Sequence, residues 1–179
     1  MQLYLIRHPV PDVAKGICYG RTDLPLLAPA VEAAERVCKH LPPDTPLFTS
    51  PLQRCRRLAE HLHGSPRVDE RLQEMNFGVW EMQPWAKIPR QEINRWATDP
   101  LDFAPTDGES VAQLQRRVLA FVADLLLESI ESAVLVTHAG VIKVLAGAAR
   151  ALPATEWMRL EFDYESVVCL EIDHDAVKT

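Results

Sequence analysis

Residues 133–152, AVLVTHAGVIKVLAGAARAL, pass from a strand into a helix with one histidine between them. AVLVT is a continuous apolar run of strand length, the pattern of a strand covered on both faces. AGVIKVLAGAARAL follows at once with helical spacing. The same order recurs upstream. PLFTS (46–50) is a short strand, and PLQRCRRLAEHLH (51–63) reads as a helix with Pro51 at its first position behind an N-capping Ser50. MQLYLIRHPV (1–10) opens with a third strand, which Pro9 and Pro11 stop just after Arg7 and His8. Strands alternating with helices predict an α/β fold, a mostly parallel sheet covered on both faces.

The remaining elements fit this frame. AVEAAERVCKHL (30–41) has helical spacing, residues 67–69 suit a brief strand, and a helix is expected over 84–97 after a loop containing Gly78. SVAQLQRRVLAFVADLLLES (110–129) carries Val111, Leu114, Val118, Val122 and Leu125 on one face, with Ser110 and Gln113 as a capping-box pair. SVVCLEID (166–173) is a final strand.

The 179 residues, 47% hydrophobic and 25% charged, suit one soluble domain spanning 1–179. A net charge of -6 argues against a duplex nucleic-acid binder, while a locally positive pocket could still take a small anion. No apolar run approaches a membrane span, and the first residues lack the layout of a signal peptide, so the cytoplasm is the expected location. Cys18, Cys38, Cys55 and Cys169 lie far apart and suit neither a zinc site nor a disulfide scaffold.

In a parallel sheet the strand ends share one edge, where helix N-termini also present unpaired N–H groups. Arg7-His8, Ser50 with Arg54 in the following helix, and His138 before Ala139-Gly140 would therefore meet. Alone, each has a bland reading, since a single histidine is more often structural than catalytic. Together, two arginines, two histidines and helix ends form a cup suited to a phosphoryl dianion. Within that cup, His8 is expected beside a solvent-reaching crevice, and Arg7 and Arg54 should keep its imidazole neutral and nucleophilic. Glu74 is a candidate proton donor, with Glu81 as its rival.

RHP (7–9), SPLQRCRRLAE (50–60), LQEMNFGVWE (72–81), DGES (107–110) and VTHAG (136–140) together resemble the ordered motifs of the histidine phosphatase superfamily, the phosphoglycerate-mutase-like group. The resemblance spans nearly the whole chain and implies a three-layer α/β/α sandwich. Arg7 and Arg54 would be phosphate clamps, His8 the nucleophile, Glu74 the acid/base and His138 a further phosphate ligand, with no metal or cofactor. GICYGRTDLPL (16–26) and FGVWEMQPW (77–85) look most like the α-ribazole phosphatase branch. A small phosphomonoester such as α-ribazole 5′-phosphate, on a path to cobalamin, would then be the substrate, with Tyr19, Gly20 and Arg21 in a possible substrate loop. Two positions depart from the family pattern: Pro9 stands where Gly or Thr is usual, and Met82 follows Glu81 where Gly is common.

Other phosphate chemistries fit less well. Six positions after Cys18, Cys38 and Cys55 stand Leu24, Asp44 and His61 rather than the arginine a cysteine phosphatase needs. A Walker A loop is absent. DHDAV (173–177) resembles an aspartate-nucleophile motif but has only two residues after it, as expected of a fraying terminus. A phosphoglycerate mutase and a catalytically silent phosphate-binding module remain as alternatives. The short chain speaks against the first, and the full set of histidines, arginines and Glu74 against the second.

Overall fold

The apolar residues of the strands Gln2–Arg7, Leu47–Thr49 and Ser132–Thr137 fall on both faces of these strands. In a computed structural model that describes residues 1–128, 130–157 and 159–173, five strands form one sheet. They are β1 (Gln2–Arg7), β2 (Leu47–Thr49), β3 (Arg67–Val68), β4 (Ser132–Thr137) and β5 (Val167–Glu171). Their order is β3-β2-β4-β1-β5, parallel throughout except for β5, which pairs antiparallel with β1. Six helices accompany it: α1 (Ala30–Val37), α2 (Gln53–Leu62), α3 (Arg90–Thr98), α4 (Val111–Leu127), α5 (Ala139–Ala149) and α6 (Ala154–Trp157).

Ile6, Leu47, Val134 and Val136 pack under Ala33 and Val37 of α1 and Leu58 of α2. Leu3, Leu5, Phe48, Ala133 and Leu135 face Leu114 and Val118 of α4, Ile142 of α5 and Trp157 of α6. This is the three-layer α/β/α sandwich with a mostly parallel sheet. Leu5 and Leu135 are fully buried, each contributing about 1.5–3 kcal/mol by transfer out of water. A separate aromatic cluster lies outside the sandwich, built on Cys18, Trp80 and Ile88 with Phe77, Trp85, Trp96 and Phe103 around them. No helix among the described residues is long and apolar enough to cross a membrane. Of the DHDAV segment, only Asp173 lies within the described residues.

Several boundaries differ from expectation, each for a local reason. Ser50 does not cap α2: its amide still pairs with the Val136 carbonyl as an extension of β2, and Leu52 takes the N-cap position. The Ser50 hydroxyl accepts instead from the Leu52 amide across Pro51. The helix expected over 84–97 is interrupted, because Pro89 lacks an amide hydrogen and forces Ile88 into extended geometry. A 3-10 turn at Trp85–Lys87 precedes the break and α3 follows it. The helix over 30–41 tightens into a 3-10 turn at Cys38–His40, since Leu41 precedes Pro42 and is extended. α5 stops at Ala149, with Ala151 left-handed before Leu152 and Pro153. The capping box of α4 forms as read, with Ser110 and Gln113 each satisfying the other's backbone amide.

Met82 adopts φ 62°, the left-handed region where glycine is favoured. Its amide bonds the Cys18 carbonyl and its side chain is 49% exposed, so the strain is held by the turn rather than by packing. Met82→Gly should therefore stabilise the protein by about 0.5–1 kcal/mol once glycine's extra chain entropy is subtracted. In a thermal melt that is a rise of roughly 1–3 °C; an unchanged or lower midpoint would show the turn to be unstrained.

Candidate active site

Three parallel strands end at one level. Arg7 is in register with Thr137 and Thr49 with Val136, and the next amides continue the ladder, His8 to the Thr137 carbonyl and Ser50 to that of Val136. The side chains of His8, Ser50 and His138 are thereby brought to one edge. The rings of His8 and His138 lie edge to face with centroids 5.0 Å apart. His138 Nε2 is 2.8 Å from Ser50 Oγ and 3.4 Å from the thiol of Cys55.

His8 Nδ1 is 2.7 Å from the carbonyl of Pro9. A carbonyl can only accept, so the proton sits on Nδ1 and the lone pair on Nε2. The Nε–H of Arg54 donates to that lone pair at 3.3 Å. Pro9, the first departure from the family pattern, thus provides the acceptor that fixes the tautomer. His8 is only 2% exposed, so the expected solvent-reaching crevice is not found at its side chain. Burial is the main reason its pKa falls to about 3, with Arg54 and, more weakly, Arg7 acting in the same direction against the Pro9 hydrogen bond. The sequence reading named the arginines and missed the burial, which depends on the closed fold. His138 is pushed well below its ordinary value for the same reason, then by Arg54 and His8.

Arg54 is fully buried, yet each nitrogen of its guanidinium has an acceptor. Nη1 donates to the Thr22 carbonyl at 2.7 Å and Nη2 to that of Gly20 at 2.6 Å. Three of its five donors are thereby engaged and two remain. Arg7 stacks 3.7 Å over the Tyr164 ring and donates to the Phe162 carbonyl, leaving its buried Nε without a partner among the described residues. Tyr164 lies 5.6 Å from His8 and its hydroxyl meets that of Tyr19 at 2.6 Å. Of the expected substrate loop, Tyr19 meets Tyr164, Gly20 holds Arg54, and Arg21 reaches Glu109 at 3.2 Å. A Cβ on Gly20 would come within 2.0 Å of the Met75 carbonyl, so only glycine fits.

The two carboxylate candidates separate clearly. Glu81 accepts from the amides of Arg21, Thr22 and Phe77 and from the Thr22 hydroxyl. Burial works to raise its pKa, but those hydrogen bonds outweigh it and hold the carboxylate ionised. It ties the loop. Both oxygens of Glu74 accept from the Gly140 amide at 3.1 Å, in the first turn of α5 and two residues from His138. A Cβ at position 140 would lie 2.2 Å from Glu74 Oε1, so any side chain there would displace the carboxylate. Glu74 also lines a cavity of about 190 Å³ with Phe77, Trp85, Trp96, Trp157 and Lys143. Burial lowers the pKa of Lys143.

Cys55, Tyr164, Trp96 and Trp157 were not visible as site residues in the sequence. Cys55 lies in a motif block and the others carry no local signal, because contacts at the site span between about 30 and 155 residues of chain. Among the described residues no group of three or more His, Cys, Asp or Glu is placed to hold a metal ion.

The model of the histidine phosphatase superfamily (branch 1) matches residues 3–179. The chain belongs to that superfamily. It is 28% identical over 166 residues to an adenosylcobalamin/α-ribazole phosphatase of Salmonella typhimurium, covering 86% of this chain and 82% of that one. With a glucosyl-3-phosphoglycerate phosphatase of Mycobacterium tuberculosis it shares 30% identity over 180 residues, 89% and 79% of the two chains. The crystal structure of the α-ribazole phosphatase from Shigella flexneri superposes with a TM-score of 0.84 at 25% identity, covering 98% and 92%. The superfamily thus accounts for the sandwich and for the ordered motifs, while these relatives are named for different substrates.

The neutral, buried histidines make stability depend on pH. An unfolded His8 takes up a proton near pH 6.5, whereas the folded one resists until about 3. Between those values the unfolded state binds more protons, so stability is full above pH 6.5 and falls as pH drops. At pH 4.5 this one group should remove roughly 2–3 kcal/mol relative to pH 8. Urea melts of His8→Gln should show an acid loss smaller by that amount; an identical loss in both proteins would mean that His8 is not buried neutral.

Proposed function

We propose that the protein is a phosphomonoester hydrolase that works through a phosphohistidine on His8. The reading rests on the state of His8: Nδ1–H held by Pro9, Nε2 unprotonated and accepting from Arg54, and His138 beside it. Nε2 exchanges its hydrogen bond from Arg54 for a bond to phosphorus, attacking in line with the ester oxygen. Arg7 and Arg54 neutralise the equatorial oxygens and His138 donates to one of them, acting where charge develops. The ester oxygen leaves with a proton from Glu74, a contribution of about 10²–10⁴ in rate. The Glu74 carboxylate then takes a proton from water as it attacks phosphohistidine, releasing inorganic phosphate and neutral His8. No step calls for a metal, because the guanidinium groups provide the positive charge.

The cavity beside Glu74 supports α-ribazole 5′-phosphate, or a small phosphomonoester of the same shape, as the substrate. Its wall of Phe77, Trp85, Trp96 and Trp157 suits a planar apolar group, and its volume of about 190 Å³ exceeds the roughly 150 Å³ known to admit benzene. The Trp96 indole N–H is buried without a partner among the described residues. A benzimidazole base offers both the flat ring and an acceptor nitrogen for such a donor. Such an enzyme would work in the cytoplasm, in keeping with the four free thiols.

Trapping turnover with radiolabelled substrate should give an acid-labile, alkali-stable adduct on the peptide containing His8, and His8→Gln should abolish adduct and turnover together. A label on His138 would reverse the two roles. Trp96→Phe should raise KM for α-ribazole 5′-phosphate about fivefold, the loss of one hydrogen bond of about 1 kcal/mol, and leave KM for p-nitrophenyl phosphate unchanged. Equal changes with both substrates would detach Trp96 from substrate choice.

A further inference from the structure

The DGES segment touches neither histidine, yet it meets the chain that carries Glu74 at several points. Glu109, 8% exposed, pairs its own amide with the Asn76 carbonyl, while its Oε1 accepts from the Asn76 amide at 2.9 Å. The Asn76 side chain donates to the Asp107 carbonyl. Glu109 also binds Arg117 from the second turn of α4, through Oε1 at 2.7 Å and Oε2 at 3.2 Å. Arg117 in turn donates Nη1 to the carbonyls of Arg71 and Gln73, both at 2.7 Å, and Nη2 to that of Glu74 at 3.0 Å. Those three bonds and the two to Glu109 engage all five guanidinium donors.

We infer that Arg117, locked by Glu109, is the positioning residue that aims Glu74 at the ester oxygen. This rests on Glu74 being the general acid. Residues 73–76 have no strand or helix of their own to fix them, and the carboxylate accepts from the amides of Gly140 and Met75. A planar fork gripping the carbonyls on both sides of Gln73 sets the height and tilt of the backbone from which Glu74 projects. A lysine has three donors around one point and cannot reproduce that grip. Arg21, which also reaches Glu109, links the same lock to the loop that holds Arg54.

The test compares Arg117→Lys, Glu109→Gln, Glu74→Gln and the Glu74→Gln/Arg117→Lys double variant on glycerol 2-phosphate and p-nitrophenyl phosphate, below each variant's melting point. Glu74→Gln should lower kcat about 10²-fold on the alkyl ester and far less on the aryl ester, whose leaving group scarcely needs a proton. Arg117→Lys should show the same selectivity, about 10-fold on the alkyl ester and within about twofold on the aryl ester, because the acid is displaced rather than removed. The double variant should match Glu74→Gln alone, since the two residues act as a unit. If Arg117→Lys does not fold, Glu109→Gln, which keeps the guanidinium and loosens its anchor, should show the same alkyl-selective loss. Equal losses on both substrates, or a double variant that multiplies the two defects, would overturn the inference and make Arg117 a purely structural support. A Glu74→Gln variant with no leaving-group selectivity would remove the general-acid reading itself, and the inference with it.

Discussion

Everything at the candidate site depends on the register of three parallel strands. A shift of one residue in β1 against β4 would turn Leu3 and Leu5 away from α4 and α5 and carry His8 to the opposite face. The two apolar layers therefore lock the register, and the register delivers His8, Ser50 and His138 to one edge. The amide of His8 on the Thr137 carbonyl is the last rung of that ladder. Beyond it the proline-rich loop begins, and the Pro9 carbonyl immediately orients the imidazole. Position and tautomer are thus set within two residues of the strand end.

Placing two histidines and an arginine inside a folded chain carries a desolvation cost, and the surrounding loops show how it is met. The histidines stay neutral. Arg54 cannot, so it needs acceptors, and the carbonyls of Gly20 and Thr22 provide them. That requirement explains an otherwise irregular loop: Glu81 gathers its amides, and Gly20 permits its close approach to Met75. The loop is as much a consequence of a buried guanidinium as a device for substrate.

Much of this was legible in the sequence where the physics is local. The alternation of β1 and β4, the capping box at Ser110 and the strand-end placement of Arg7, His8 and His138 are all short-range patterns. Ser50 was misassigned because its hydroxyl and the following proline imitate a helix cap, while its amide remains committed to a ladder partner 86 residues away along the chain, Val136. Pro89 was visible but underweighted against the helical spacing around it. The choice between Glu74 and Glu81 had motif support alone, since nothing local distinguishes a carboxylate that collects three amides from one facing a cavity. The depth of His8 likewise emerges only when Tyr164, from the far end of the chain, packs its ring 5.6 Å from the imidazole.

In the proposed reaction the site has two ends built by different means. The phosphate end comes from sheet register. The leaving-group end comes from the aromatic cluster between Phe77 and Phe103, which packs outside the sandwich and can change without disturbing strand pairing. The two ends are nevertheless joined. Glu81, in the stretch carrying that cluster, binds the loop whose carbonyls satisfy Arg54, and Cys18 of the loop packs against Trp80. In the proposed reaction, a group seated among Trp85, Trp96 and Trp157 lies beside Glu74 and is joined through Trp80, Cys18 and Glu81 to the support of the buried arginine. The leaving-group wall and the phosphate end thus share a physical connection.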